Sequence, residues 1–571
     1  MSVGRFLLCL HSHMPYVLSH GKSPHGTDWI FESAAESYLP ILDALNRLLD
    51  ESIKPKWTIN ISPILAEQFD DPSFKDGFEV YCQESIETAL EDQHRFAAEG
   101  SLWMEGIAAM WQRYYTKALV QFKHLWNRSL CDAFKFFQDE GSIEIITCAA
   151  THGYLALLGT EESIDAQIKV AVESHKKRFG KAPRGIWLPE CAYRPAYDWK
   201  SPINPEEPTW PRKGVDQFLY ENGIEYFFID SHMLKGGEPL GTYGAQFPQL
   251  AELFARSKKM FVDLEPQEYR SEYEHYLLPS GVTCFARDPQ TTVRVWAKNV
   301  GYPGDQHYLE FHKKLYPGRL RYWRVSKDHE DLGQKQPYSP WEAYEMIGSH
   351  VHDFTNAVKS TLAHYRGMSD RNGTVVSMYD TELYGHWWWE GPEFLYEMGK
   401  SFHHDPDIET VTAGELLDQE PARNVITLPE GSWGEGGYHY IWFNSENLWT
   451  WEKLYPAEKK MIEISKKYIH TPAQPIAEQA ARELLLAESS DWQFLISTWA
   501  ARDYAETRFH DHISRFEKLV ELAEKVYEGH SLAEEELQFF RECQKKDTPF
   551  PNLSLEWWHS LEKNKTKAQK A

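Results

Sequence analysis

Short apolar runs recur along the chain, and each is closed by polar residues. Residues 5–10 end in His11-Ser12-His13-Met14-Pro15, and residues 57–61 in Ser62-Pro63. Residues 143–150 end in Thr151-His152-Gly153-Tyr154, and residues 185–188 in Pro189-Glu190-Cys191. Residues 225–229 end in Asp230-Ser231-His232, residues 282–286 in Arg287-Asp288-Pro289, and residues 374–378 in Tyr379-Asp380-Thr381-Glu382. Each run has the length of a buried strand. The first few alternate with helical stretches such as 163–179, apolar at Ile164, Ile168, Val170 and Ala171. That alternation predicts a parallel α/β architecture. Ligand sites in such folds gather at the carboxyl ends of the strands. Seven polar ends around one mouth therefore predict a single cleft rich in carboxylates and histidines.

Other segments break the rhythm. Residues 64–140 contain no clear strand, and 78–93 and 110–138 carry a helical period, which predicts a helical insertion. Residues 231–280 form a long connection with Gly236-Gly237, Pro239, Gly241 and Gly244, of the kind that carries function. Its part from 255 to 278 is polar and acidic and reads as an added surface segment. From Pro456 to about Phe540 the pattern is helical throughout, predicting a separate helical domain, and the Lys-rich tail 563–571 reads as frayed.

Charge narrows the partner. With 60 basic and 85 acidic residues the net charge is −25, which repels nucleic acid and anionic membrane. No apolar run approaches the ~20 residues of a membrane span. The early run at 6–10 is shorter than the ~7–15 residues of a signal-peptide core, so a cytoplasmic location is expected. The 7 cysteines include no CxxC pair, which argues against a disulfide framework or a zinc ribbon. The 22 Trp and 30 Tyr suit a neutral, hydroxyl-rich ligand such as a sugar, whose C–H faces pack on rings, although core packing is expected to take most of them. Monomer and dimer both stay open.

Two strand-end acids carry the candidate chemistry. Glu190 follows Pro189, which cannot extend a ladder, and Asp380 follows 375–379 in the same way. Such a pair suits glycoside chemistry, one as nucleophile and the other giving and then taking a proton. The competing reading is a helix cap or an ion pair. His11 and His13 share one face of a strand. They are core histidines, a metal site completed by His152 and an acid, or hydrogen-bonding partners of a substrate. Trp387-Trp388-Trp389 cannot all face one core side, so at least one should reach a cleft wall. The glycine-rich turn 431–437 holds Trp433 and suggests a close backbone approach; a phosphate cradle lacks the following lysine.

Together these segments resemble glycoside hydrolase family 57, and within it the branching enzymes of α-1,4-glucans. His11-Ser12-His13-Met14-Pro15 is similar to the family's first motif, with Met14 where Gln is usual. The segments 150–155, Trp187-Leu188-Pro189-Glu190-Cys191-Ala192-Tyr193, 379–388 and Gly431-Ser432-Trp433-Gly434 resemble the other four. Arg287-Asp288-Pro289, Trp296, Gly301-Tyr302-Pro303-Gly304-Asp305 and Ser489-Ser490-Asp491-Trp492 resemble branching-enzyme segments. The resemblance implies a distorted (β/α)7 barrel over 1–420, with the insertion at about 64–140 and the loop at about 231–280. It implies a C-terminal α-helical domain over 421–562 that closes the cleft, then the tail. It implies a retaining transfer without metal or other cofactor, on amylose or glycogen. Glu190 would be the nucleophile and Asp380 the acid/base. His11, His13, His152, Arg287, Trp296, Trp433, Trp442 and Asp491 would bind sugar. A loop at 236–247 with Tyr243 near its tip would keep water from the covalent intermediate, although 250–278 look inserted beside it. An α-amylase or 4-α-glucanotransferase of the same family, a metal-dependent hydrolase and a non-catalytic sugar-binding protein are the alternatives.

Overall fold

In the computed structural model, which describes residues 2–236, 267, 269–297, 301–326 and 331–561, all seven runs form strands. They are β1 (Gly4–Ser12), β2 (Trp57–Ile61), β3 (Ile143–Ile146), β4 (Gly185–Ile186), β5 (Tyr226–Ile229), β6 (Thr283–Ala286) and β7 (Gly373–Asp380). Parallel ladders join β7, β1, β2 and β3 into one sheet and β4, β5 and β6 into another. Two single contacts close the sheets into a barrel. Thr147 pairs with Ile186 across one seam, and the Asp288 N–H donates to the Val376 carbonyl at 2.8 Å across the other. The fold is the distorted (β/α)7 barrel, with helices packed outside the strands.

The pleat sorts the apolar residues. On β1, Leu7 and Cys9 belong to the smaller core cluster, which fills the barrel, with Trp187, Phe228, Phe285, Val376 and Met378. Phe6, Leu8 and Leu10 belong to the larger cluster beneath the helices. A run apolar at every position is what a strand buried on both faces requires.

Helices Pro63–Asp70, Pro72–Ala98, Leu102–Val120 and Leu130–Asp139 fill the stretch between β2 and β3. The helical period expected over 110–138 is interrupted, because Asn127 and Arg128 adopt left-handed backbone (φ 48° and 61°) after the π-helical turn Gln121–Leu125. Residues 269–278 are not a loose surface segment. Tyr276–Leu277 pairs antiparallel with β6, and Leu277 bonds Asn424 and Ile426, so burial of Tyr276 and Leu278 outweighs the local acidity. Tyr243 and its loop lie outside the described residues.

Residues 421–447 lie across the barrel mouth, with Gly431 bridged to Tyr193. The C-terminal helices follow as Leu448–Tyr468, Gln474–Ala487, Asp491–Thr498, Arg502–Tyr527 and Glu534–Lys546. Pro456 lies inside the first of these, where buried Trp451, Leu454 and Tyr455 hold the helix across the missing N–H. Among the described residues no helix is long and apolar enough to cross a membrane.

Candidate active site

The inward period of two runs on past the apolar interior. After Leu7 and Cys9 comes His11, after Val376 and Met378 comes Asp380, and after Phe285 comes Arg287. In the ladder, His11 lies opposite Asp380 on one side and Asn60 on the other. The barrel's own geometry therefore brings strand-end polar groups onto one inner rim.

Glu190 sits in the tight turn after β4 with φ 60°, and Cys191 (φ 49°) and His152 (φ 61°) are left-handed too. Non-glycine residues rarely adopt this backbone, and such outliers gather at working sites. The turn sends the Glu190 carboxylate inward, where its Oε2 accepts the Trp433 indole N–H at 2.6 Å. The Trp433 backbone N–H also donates to the Glu190 carbonyl at 3.1 Å. Burial pushes the Glu190 carboxyl up to about 8, with the Asp380 and Asp491 charges adding and the Trp433 bond opposing. Burial likewise pushes Asp380 up to about 7 against the Arg287 charge. The lift on Asp380 comes from burial and not, as the pairing of two acids suggests, from Glu190. Arg287 in turn is tied to Asp230, which it holds well below the usual carboxylate range, so much of its field is offset. Two raised carboxyls sharing one cleft hold about one proton between them near neutrality.

The proton positions of the histidines follow from one amide. The Asn60 side-chain N–H₂ donates to the Ile146 and Thr147 carbonyls at 3.2 and 2.6 Å, which turns its oxygen to His11. His11 Nδ1–H therefore donates to Asn60 at 2.6 Å. Burial and the neighbouring His13 lower His11 to about 3, so it is neutral and its Nε2 accepts. His152 Nε2–H must then be the donor of the 3.1 Å contact to His11. Burial holds His152 neutral as well, so the Ser490 hydroxyl donates to its Nδ1 at 2.8 Å. His13 stacks on His152 at 4.0 Å and gives its Nε2–H to Asp491 at 2.9 Å. His13, His152 and Asp491 offer ligand atoms within 4.8 Å of one another. A metal there would have to displace the proton His152 gives to His11 or the hydroxyl on its Nδ1.

The structure thus brings Glu190, Asp380, His11, His13, His152, Arg287, Trp433 and Asp491 together, with Trp296 at the edge, 6.5 Å from Trp433. Trp442 departs from its expected role as a sugar platform. It is 0% exposed, with its ring against Tyr154 at 4.9 Å and no face open. The close approach anticipated at the glycine-rich turn is to this ring, since a Cβ on Gly434 would lie 2.5 Å from it. Trp433, 6% exposed with Arg287 over its face, offers its N–H more than a stacking surface. Residues not singled out in the sequence complete the rim. Trp187 stacks on His11 at 4.7 Å, and Asn60 and Ser490 fix the tautomers. Glu382 accepts from Tyr38 and from the His13 N–H, and burial lifts it to about 8. Asn60 and Glu382 stand at strand ends, which was their available signal.

Residues 7–429 match glycosyl hydrolase family 57, and residues 453–558 match the C-terminal domain of 1,4-alpha-glucan branching enzymes. The chain belongs to glycosyl hydrolase family 57. Within the family it is 36% identical over 557 residues to the 1,4-alpha-glucan branching enzyme TK1436 of Thermococcus kodakarensis, covering 96% of this chain and 77% of the relative. The branching enzyme of Pyrococcus horikoshii superposes with a TM-score of 0.86 at 36% identity, over 97% of both chains. The alpha-amylase AmyC of Thermotoga maritima superposes with a TM-score of 0.79 at 29% identity, over 97% of this chain and 99% of its own.

Within this family 57 site, a Trp433→Phe variant tests the indole bond. Phenylalanine keeps a ring against Trp187 but removes the donor that lowers Glu190. The Glu190 carboxyl then rises, the form with Glu190 ionised and Asp380 protonated becomes rarer, and the upper limb of kcat/KM against pH moves to higher pH. The loss in kcat/KM is expected to be roughly tenfold to a hundredfold. An unmoved upper limb refutes the coupling.

Proposed function

We propose that this protein is a cytoplasmic 1,4-alpha-glucan branching enzyme that acts by a retaining mechanism on amylose or glycogen. The observation that carries the reading is the branching-type helical domain delivering Ser490 and Asp491 to the histidines beside Glu190. The Glu190 carboxylate attacks the anomeric carbon of an α-1,4-glucan while the Asp380 carboxylic acid protonates the departing 4-oxygen. A glycosyl ester on Glu190 and an ionised Asp380 result. A 6-hydroxyl of a second chain then gives its proton to Asp380 as its oxygen displaces Glu190, and an α-1,6 bond forms with retained configuration. The neutral His11–His152 pair, with its four ring nitrogens bonded to Asn60, to each other and to Ser490, forms a rigid uncharged wall for the sugar beside the bond. A rim crowded with Trp187, Trp296 and Trp433 disfavours water at the ester stage, which transfer requires.

Family 57 hydrolysis is the second reading, favoured by the likeness to AmyC over nearly the whole chain. Incubation with amylose, followed by a debranching enzyme, separates the two. Branching gives new short chains after debranching with little rise in reducing ends, whereas hydrolysis gives reducing ends alone. The same result is expected after dialysis against a chelator; loss of activity there favours a metal on His13, His152 and Asp491.

A further inference from the structure

The three consecutive tryptophans face three ways. Trp387 is 43% exposed, with its ring 6.5 Å from Trp296 at the cleft. Trp388 is buried against Tyr308 and Phe394. Trp389 turns to the outer wall, against Trp111 and Tyr114, and there lines a groove of about 400 Å³ with Tyr338, Tyr344 and Glu390.

The groove is built for a neutral ligand. Its charged rim is internally paired, with Arg47 on Glu393 at 2.6 Å and Lys117 on Asp43 at 2.8 Å. Glu390 differs. Its Oε1 accepts from the Tyr338 hydroxyl at 2.7 Å and the Leu309 N–H at 3.1 Å. Its Oε2 is buried and has no hydrogen-bond partner among the described residues. An orphan acceptor of this kind is costly until a donor arrives, and a sugar hydroxyl, or a water held beneath one, is such a donor. Tyr344 is 51% exposed, and Trp341, one helical turn before it, is 72% exposed, so aromatic surface continues out of the groove. Pro40, Pro340 and Pro392, at the N-terminal ends of helices Leu39–Asp50, Pro340–Ser369 and Gly391–His404, also line it. Helices of a β/α barrel run antiparallel to its strands, so these ends lie at the carboxyl end of the barrel, as the cleft does.

We propose that this groove is a second glucan-binding site, which holds a neutral α-1,4-glucan segment by stacking on Tyr344 and Trp389 and by hydroxyl donation, relayed by a water, to the buried Glu390 carboxylate. It rests on the glucan reading above. Anchoring one part of a polymer here raises the local concentration of its other segments at the cleft.

Tyr344→Ala tests it on the full-length protein, with Glu390→Gln as a second variant. KM for amylose is expected to rise roughly fivefold in Tyr344→Ala, and retention in native gels containing glycogen to weaken to match. Turnover of maltoheptaose, a short chain that gains least from a second anchor, stays as in the parent. Parent-like KM and retention in Tyr344→Ala overturn the proposal, as does a parent that glycogen does not retain. Failure of the parent to act on amylose and maltoheptaose sinks the functional reading instead, and the retention comparison still decides the groove.

Discussion

Replacing Glu190 by glutamine is expected to lower kcat on amylose by about 10⁴-fold or more, with glucan affinity little changed. Glutamine has the same shape and can still accept the Trp433 N–H, so the left-handed turn and the rim stay in place. What disappears is the charge that, on the proposed mechanism, attacks the anomeric carbon. Calorimetric binding of a maltooligosaccharide beside a turnover assay reads the split. A smaller variant, Glu190→Ala, opens space where azide can attack. The glucan azide it forms should have the β configuration, because a single displacement inverts the centre. Wild-type turnover in either variant, or an α-azide from Glu190→Ala, removes Glu190 from the nucleophile's place.

Asp380→Asn is expected to cost about 10³-fold in kcat/KM on amylose, where the leaving oxygen needs a proton, and much less on an aryl maltooligosaccharide that leaves as a phenolate. The pH profile carries a second signature. On the proposed mechanism rate requires Glu190 ionised and Asp380 protonated, the minor of the two one-proton forms, because Glu190, lifted to about 8, holds the shared proton more tightly than Asp380, lifted to about 7. The kcat/KM profile should therefore be a narrow bell near pH 7–8, above the range of exposed carboxylates. Asparagine removes the group whose deprotonation ends activity, so the alkaline limb vanishes on the aryl substrate. The remaining limb then reports Glu190 alone, freed of the Asp380 charge that helps to raise it, and lies below the parent's upper value of about 8. A limb at or above that value contradicts the pairing.

Much of this was legible in the residue order, for a physical reason. A strand buried on both faces must be apolar throughout, and the first polar residue after it must sit at the rim. The seven runs and Glu190, Asp380, His11 and Arg287 could be read in that way. Residues whose role depends on contacts far along the chain could not. Ser490 reaches His152 across 338 positions, and no local period announces that bond. Trp442 illustrates the opposite limit. A tryptophan beside a glycine-rich turn has the composition of a sugar platform, but Gly434 makes room for its ring as core. Likewise Tyr276–Leu277 reads as surface until the edge of β6 is there to pair with it.

Because the far helices supply Asp491 and Ser490 to histidines on the barrel, one wall of the cavity belongs to another part of the polypeptide. A recombinant fragment ending ahead of position 489 would therefore be an unfinished enzyme, not a minimal one. Among chimeras between relatives, crossovers that keep positions 11, 13, 152, 490 and 491 from one parent should survive best.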